Sequence, residues 1–235
     1  MPNVECLGYP RAGRIAVVVA ASAMLGLAGC SSDKSGPAPQ GKAAESVAPS
    51  SADPDTKTST PDALCALLTP AELSMLTGEV SDPKALAVGG LPACHWETPA
   101  GGRVQVIGAS AGTWAKQLPA AIEQVKRSGL LDDPETARKL EAARDLIASG
   151  KEIAPDRACE LFSMLLEVQG LPAGSSRTVN LIPTRENPKA VNGQTCSGGR
   201  FTSVQLVAPN LSGSDEEASR LSSVLTKAHE RNRGA

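Results

Sequence analysis

The stretch Val104-Gln105-Val106-Ile107-Gly108-Ala109-Ser110-Ala111-Gly112 holds the residue pattern with most chemical potential in the chain. Gly108 to Gly112 fits G-x-S-x-G, the nucleophile elbow, in which a sharp strand-to-helix turn exposes a serine hydroxyl. Such a serine needs an acid and then a histidine further along the chain. Asp132, Asp133 or Asp145 can supply the acid and His229 the base, so the order is satisfied. The surroundings fit less well. No glycine-rich oxyanion loop precedes Ser110, and few Val/Ile-rich runs suggest a wide parallel sheet. His229 stands among Lys227, Glu230 and Arg231, the setting of an exposed residue on a terminal helix. A serine hydrolase using Ser110 and His229 is therefore the alternative reading, and a small-residue turn is the favoured one.

Other reactive residues are few. His95 and Glu97 lie two apart, so a strand projects both from one face. Two ligands do not make a metal site, and no C-x-x-C spacing adds to them. No metal and no cofactor is expected. Trp96 then points to the opposite face and enters the core, and Trp114, at the start of a helix, either covers the sheet or lines a pocket, the core being favoured because few other aromatic residues exist to fill it. The formal net charge is −2, and loss of Arg11, Arg14 and Glu5 with a leader takes it to −3. No basic patch is visible, so nucleic acid is not an expected partner. Aromatic residues make up 2% of the chain, which argues against sugar binding on stacked aromatic platforms.

The elements that must position these groups begin after a long leader. Arg11 and Arg14 form a basic region and Ile15 to Leu27 an apolar one, too short for a usual membrane span. The run ends at Leu27-Ala28-Gly29-Cys30, which resembles the bacterial lipobox, where the chain is cut before a lipidated cysteine. Acyl chains on Cys30 would hold the protein on a membrane, since each buried methylene contributes about 0.8 kcal/mol. Residues 31 to 61 are Ser, Ala, Pro, Gly, Lys and Asp with almost nothing large and apolar, which reads as a disordered tether. The expected division is a signal peptide over 1–29, the lipidated cysteine and linker over 30–61, and one domain over 62–232.

Four cysteines remain in that domain: Cys65, Cys94, Cys159 and Cys196. An even set in an exported domain implies disulfides, and four cysteines allow three pairings. Grouping by halves favours Cys65–Cys94 and Cys159–Cys196. Thr69-Pro70-Ala71-Glu72 carries a helix start with a capping box. Cys94 to Glu97 and Arg103 to Ile107 read as strands joined by a Pro/Gly turn. Helical patterns follow over 113–127, 133–149 and 155–165, strands over 177–182 and 200–207, and a terminal helix over 216–230. A faint echo links Cys65-Ala-Leu-Leu, Cys94 and Gly-Gly-Arg-Val with Cys159-Glu-Leu-Phe, Cys196 and Gly-Gly-Arg-Phe. Duplication would give two cystine-tied helix–strand–strand–helix units on one sheet, and chance is the other explanation.

This order of features is similar to that of the actinobacterial lipoproteins grouped as domain of unknown function family 3558. The resemblance rests on the lipobox, a polar linker, Cys65-Ala66-Leu67-Leu68-Thr69-Pro70-Ala71-Glu72, and Cys94-His95-Trp96, and spans about residues 62 to 230. The charged stretch between Asp132 and Asp156 departs from it. It implies an α+β domain outside the membrane, and it transfers no catalytic residue. The expected fold is α+β: one disulfide-stabilised domain, an antiparallel sheet with packed helices, after the signal peptide and linker. The expected role is a non-catalytic binding or accessory module on the outer face of the cell membrane. Its partners would be the membrane, through the N-terminal lipid, and an envelope protein or a small apolar ligand. A lipid or apolar carrier is a further alternative.

Overall fold

Six strands are found among the described residues, and all pair antiparallel. They are β1 (Lys84–Val88), β2 (Leu91–Glu97), β3 (Arg103–Ser110), β4 (Arg177–Ile182), β5 (Ala190–Ser197) and β6 (Arg200–Val207), in the order β1-β2-β3-β6-β5-β4. The computed structural model describes residues 61–119, 122–123, 134–149 and 153–234. Cys30, the leader, most of the linker, Asp132 and Asp133 lie outside the described residues. The helices described are α1 (Pro61–Cys65), α2 (Pro70–Thr77), α3 (Ala111–Ala115), α4 (Pro134–Ala148), α5 (Pro155–Val168) and α6 (Asp215–Gly234). The protein is a single α+β domain with an antiparallel sheet, helices on both faces and two disulfides.

The side-chain alternation of the strands sorts the core into two halves. Val104 and Val106 of β3 point to a first face with Trp96, Val191 and Val204, under Leu64, Leu67 and Leu73 of the α1–α2 region and Leu221, Val224 and Leu225 of α6. Ile107 and Ala109 point to the second face, where α3, α4 and α5 add Trp114, Ala143, Phe162 and Leu166. Trp114 stacks on Phe201 at 5.2 Å between ring centroids and meets Phe162 edge-on at 5.4 Å. The sheet is thus buried on both sides, and β3 and β6 are covered along nearly their whole length.

The cysteines pair by halves of the chain. Cys65 at the end of α1 joins Cys94 of β2, and Cys159 of α5 joins Cys196 of β5. Each pins a helix to a strand. The sequence separations are 29 and 37 residues, for which loop-closure entropy gives about 3.5–4 kcal/mol of stabilisation per bridge.

The two halves differ from the repeat unit that the echo suggested. Each half holds a three-stranded meander rather than two strands, and the halves meet antiparallel at β3 and β6. A two-fold axis between antiparallel neighbours stands normal to the sheet and keeps each residue on its own face. Cys94 faces the first side and Cys196 the second, so the two bridges are not equivalent. Gly-Gly-Arg does recur in equivalent places, leading out of the β2–β3 and β5–β6 turns into the two central strands.

Candidate functional site

Ser110 ends β3 and caps α3. Its backbone is extended (φ −62°, ψ 147°), its Oγ accepts the Thr113 backbone N–H at 3.0 Å, and it lies 2.7 Å from Thr113 Oγ1. This is the ordinary service of an N-cap serine. The first flanking glycine has a packing reason. A Cβ on Gly108 would stand 2.6 Å from Leu67 Cδ1 and 3.1 Å from Leu64 Cδ2, so the absent side chain lets the α1 segment lie on the sheet. A Cβ on Gly112 would meet only the Ile153 carbonyl oxygen at 3.4 Å, an ordinary contact, so packing does not demand glycine there. The glycine–serine spacing follows from a close approach and a cap.

His229 is buried, contrary to the exposed placement its charged neighbours suggested. Lys227, Glu230 and Arg231 belong to other sides of α6, while His229 turns inward with Leu225, Ala228 and Asn232. Nε2 lies 2.8 Å from Ser197 Oγ and Nδ1 lies 2.9 Å from Thr202 Oγ1. Asn232 Nδ2 donates to both the Phe201 carbonyl and Thr202 Oγ1, each at 2.9 Å. Burial, then the nearby Arg233 and Arg177 guanidinium groups, push the imidazole below its ordinary range, so it is neutral at pH 7. The structure therefore joins His229 to Ser197 and Thr202, and joins Ser110 to Thr113. Asp145 pairs with Arg144 on α4. Sequence reasoning missed Ser197 because β5 was not recognised. Its run Ala190 to Ser197 has a single aliphatic residue of size, Val191, and no period-two apolar signal.

His95 leads to a second feature. Its Nε2 lies 3.6 Å from Glu97 Oε1, as two same-face residues permit, while Trp96 enters the core on the first face. Across the sheet His95 stands in one continuous rung: Lys84, His95, Gln105, Gln205, Asn192 and Asn180, each directly opposite the next. Directly opposite residues share a face, so this polar line crosses the second face beside the Trp114–Phe162–Phe201 cluster. Gln105, Gln205 and Asn192 are 2%, 5% and 1% exposed. Ser203 Oγ donates to Asn192 Oδ1 at 3.0 Å. Gln105 Oε1, Gln205 Oε1 and His95 Nδ1 are buried without a hydrogen-bond partner.

At the other end of the first face there is a cavity of about 330 Å³. The end of α2, the β2–β3 turn, the end of β6 and the start of α6 line it, and it is open to solvent on one side. Leu76, Pro99, Ala100, Leu206, Ala208 and Leu211 give it an apolar lining, with Arg220 at its edge. Glu217 also borders it, but its carboxylate is occupied by the Ser212 and Gly213 backbone N–H groups at 2.9–3.1 Å. Sequence alone could not reveal this cavity, because its lining comes from four separate segments.

Among the described residues no group of three or more His, Cys, Asp or Glu side chains is arranged to hold a metal, and no helix is long and apolar enough to cross a membrane. No curated protein and no solved structure matches the chain. Residues 25–181 match the family described as protein of unknown function (DUF3558), a span from before Cys30 to Leu181 of β4. The match starts earlier and stops earlier than the motifs alone indicated, and leaves β5, β6 and α6 beyond it. It covers about two-thirds of the sequence, and the chain belongs to this DUF3558 family.

Proposed function

We propose that the protein is an extracytoplasmic lipoprotein, tethered to the membrane by lipid on Cys30, whose α+β domain is a non-catalytic binding module for a small ligand with an apolar body. The observation that carries this reading is the cavity of about 330 Å³ beside α2. That volume lies at the lower end of the range for small-molecule sites, and such sites combine apolar walls with a few polar groups. Leu76, Leu206 and Leu211 supply the walls and Arg220 a cation for a polar end. The reading is further supported by what Ser110 does. Its hydroxyl is spent on capping α3, and both ring nitrogens of His229 are engaged elsewhere.

Native mass spectrometry of the lipoprotein, purified gently from its own membrane, tests the proposal. The expected spectrum shows an added small mass in the unaltered protein. Ala208→Trp, which fills the cavity, should remove that mass and leave melting temperature within a few degrees. A bare polypeptide-plus-anchor mass in both proteins would overturn the reading. Labelling of Ser110 by a fluorophosphonate probe would replace it with a hydrolase.

A further inference from the structure

We propose that the β5–β6 hairpin end carries an oxyanion site, in which the Ser197 hydroxyl, Arg177 and Arg233 together take a phosphate-class group. The argument begins with protons. Asn232 is oriented by the Phe201 carbonyl, which can only accept, so the amide nitrogen faces that carbonyl and Thr202 Oγ1 alike. Thr202 Oγ1 therefore accepts from Asn232 and must place its own proton elsewhere. Thr202 is fully buried, and the acceptor in its reach is His229 Nδ1 at 2.9 Å. With Nδ1 accepting, the neutral ring carries its proton on Nε2 and donates to Ser197 Oγ at 2.8 Å. The opposite tautomer would leave the Thr202 hydroxyl proton unsatisfied inside the core.

The consequence falls on Ser197. A serine facing a bare imidazole nitrogen is a nucleophile in waiting. A serine that accepts from Nε2–H keeps its proton free to donate outward. Ser197 sits half-exposed at the last position of β5, so that donor reaches solvent. Around it stand cations from two other elements. Arg177 lies opposite Thr195 on β4, two residues from Ser197 on the same face. Arg233 of α6 passes over Gly198, its Nε 2.7 Å from where a Cβ would be; glycine at φ +54° makes that room. Both guanidinium groups are exposed and have no hydrogen-bond or ion-pair partner among the described residues. The neighbouring Arg231 differs, since it is taken up by Glu72 and the Leu67 carbonyl. The charged groups acting on the ring are Arg233, Arg177 and one acid, Glu230. A hydroxyl from β5, an arginine of β4 on the same face and an arginine of α6 that passes over Gly198 thus border one place at the hairpin end, and both arginines act electrostatically on the His229 ring there. That suits a tetrahedral oxyanion, whereas a planar carboxylate is filled by one fork.

The test is a titration of the full-length, detergent-solubilised lipoprotein, followed by ¹H–¹⁵N NMR. Inorganic phosphate and short-chain phosphatidylglycerol are the two probes. Saturable shifts at the Ser197, Gly198 and Gly199 amides are expected with at least one of them. A tighter response to the lipid identifies a headgroup as the source, and equal responses identify free phosphate. Arg177→Gln with Arg233→Gln should weaken the response roughly tenfold or more, as loss of two charge-assisted contacts requires, and Ser197→Ala several-fold. The His229 ring should show its proton on Nε2. Absence of saturable shifts with both probes, or unchanged affinity in the double arginine variant, overturns the site. A proton found on Nδ1 overturns it too, and makes Ser197 a base-activated hydroxyl instead.

Discussion

Glu72 and Arg231 join the two ends of the domain, and their coupling can be worked out from the structure. Glu72 Oε2 accepts the Thr69 backbone N–H at 2.9 Å, and Thr69 Oγ1 accepts the Glu72 N–H at 3.3 Å, which completes the capping box of α2. The same carboxylate takes both ends of the Arg231 guanidinium, with Nη1 at 3.2 Å from Oε1 and Nη2 in close contact with Oε2. Arg231 Nε donates to the Leu67 carbonyl at 3.1 Å. The Glu72 side chain is 5% exposed and the Arg231 side chain 31%, so the pair lies between a surface bridge and a core one. Loss of the reciprocal cap costs about 1 kcal/mol, and loss of charge-assisted bonds at this burial about 1.5–3 kcal/mol. Glu72→Ala should therefore destabilise by roughly 2.5–4 kcal/mol, and Thr69→Ala by only about 1 kcal/mol. A double-mutant cycle of Glu72→Ala with Arg231→Met, read by chemical denaturation, should give a coupling of about 1.5–3 kcal/mol. Arg231→Lys should recover little of it, because a point charge cannot make the fork. A coupling below about 0.5 kcal/mol, the level of an exposed pair, would refute this account of how α2 is held to α6.

Acidification should destabilise the domain in two stages. His229 is held neutral by burial and then by Arg233 and Arg177, so its folded pKa is depressed. The unfolded chain binds the extra proton first, and stability falls as pH drops below about 6.5 toward that lower value. Burial pushes the Glu72 carboxyl up, but the Thr69 N–H and Arg231 outweigh it and hold it below the usual carboxylate range. Its share is present above about pH 4.3 and is lost as pH falls through the folded value; His229→Gln should abolish the first stage and leave the second. Gln105→Leu and Gln205→Leu should each stabilise by about 1–2 kcal/mol, since each removes a buried carbonyl without a partner; a loss of stability in both would mean the polar rung is satisfied in solution. Gly108→Ala should cost about 1–3 kcal/mol by forcing Leu67 off the sheet, against about 1 kcal/mol for Ser110→Ala as a lost cap; equal costs would count against this packing. Cys30→Ala should free the protein from the membrane fraction, and unchanged retention would disprove the lipid tether.

The elements most legible in the sequence were those with a local cause. The capping box at Thr69 and Glu72, the terminal helix with Leu221, Val224 and Leu225 on one side, and the strand Arg200–Val207 all occur where their patterns place them. The disulfide pairing was legible too, because each bridge closes a loop within one half. The strands that escaped were β1, the short edge strand beside β2, and β5, whose Asn192, Gly193, Gln194 and Thr195 look like loop composition. Their strand state comes from neighbours. Gly193 lies where a Cβ would stand 3.1 Å from Leu225 Cδ2, so α6 closes on the sheet there. Asn192 and Gln194 turn to the other face, where Asn192 joins the polar rung and Gln194 stands between Ser203 and Thr178. His229 was misplaced for the same reason: flanking charges describe the rest of the helix surface, and burial of this side chain depends on Ser197 and Thr202 from distant strands.

These misses bear on stability. A strand carrying Asn, Gly and Gln in succession gives up β-propensity and apolar burial, and nothing in the packing of the first face requires that of Asn192 or Gln194. The same departure recurs at Gln105 and Gln205 in the two central strands, positions that elsewhere in β3 and β6 carry Val, Ile and Leu. The departure is repeated at one level across the central strands, so local preference and global packing conflict there. The disulfides fit the same picture. They stand on opposite faces, one under α1 and one under α5, and together contribute about 7–8 kcal/mol on the entropic account. That is enough to offset several unsatisfied buried groups at about 1–3 kcal/mol each. On this view the bridges permit a sheet whose second face is polar at its centre, and reduction of both should undo more of the domain when Gln105 and Gln205 are present than when both are leucine.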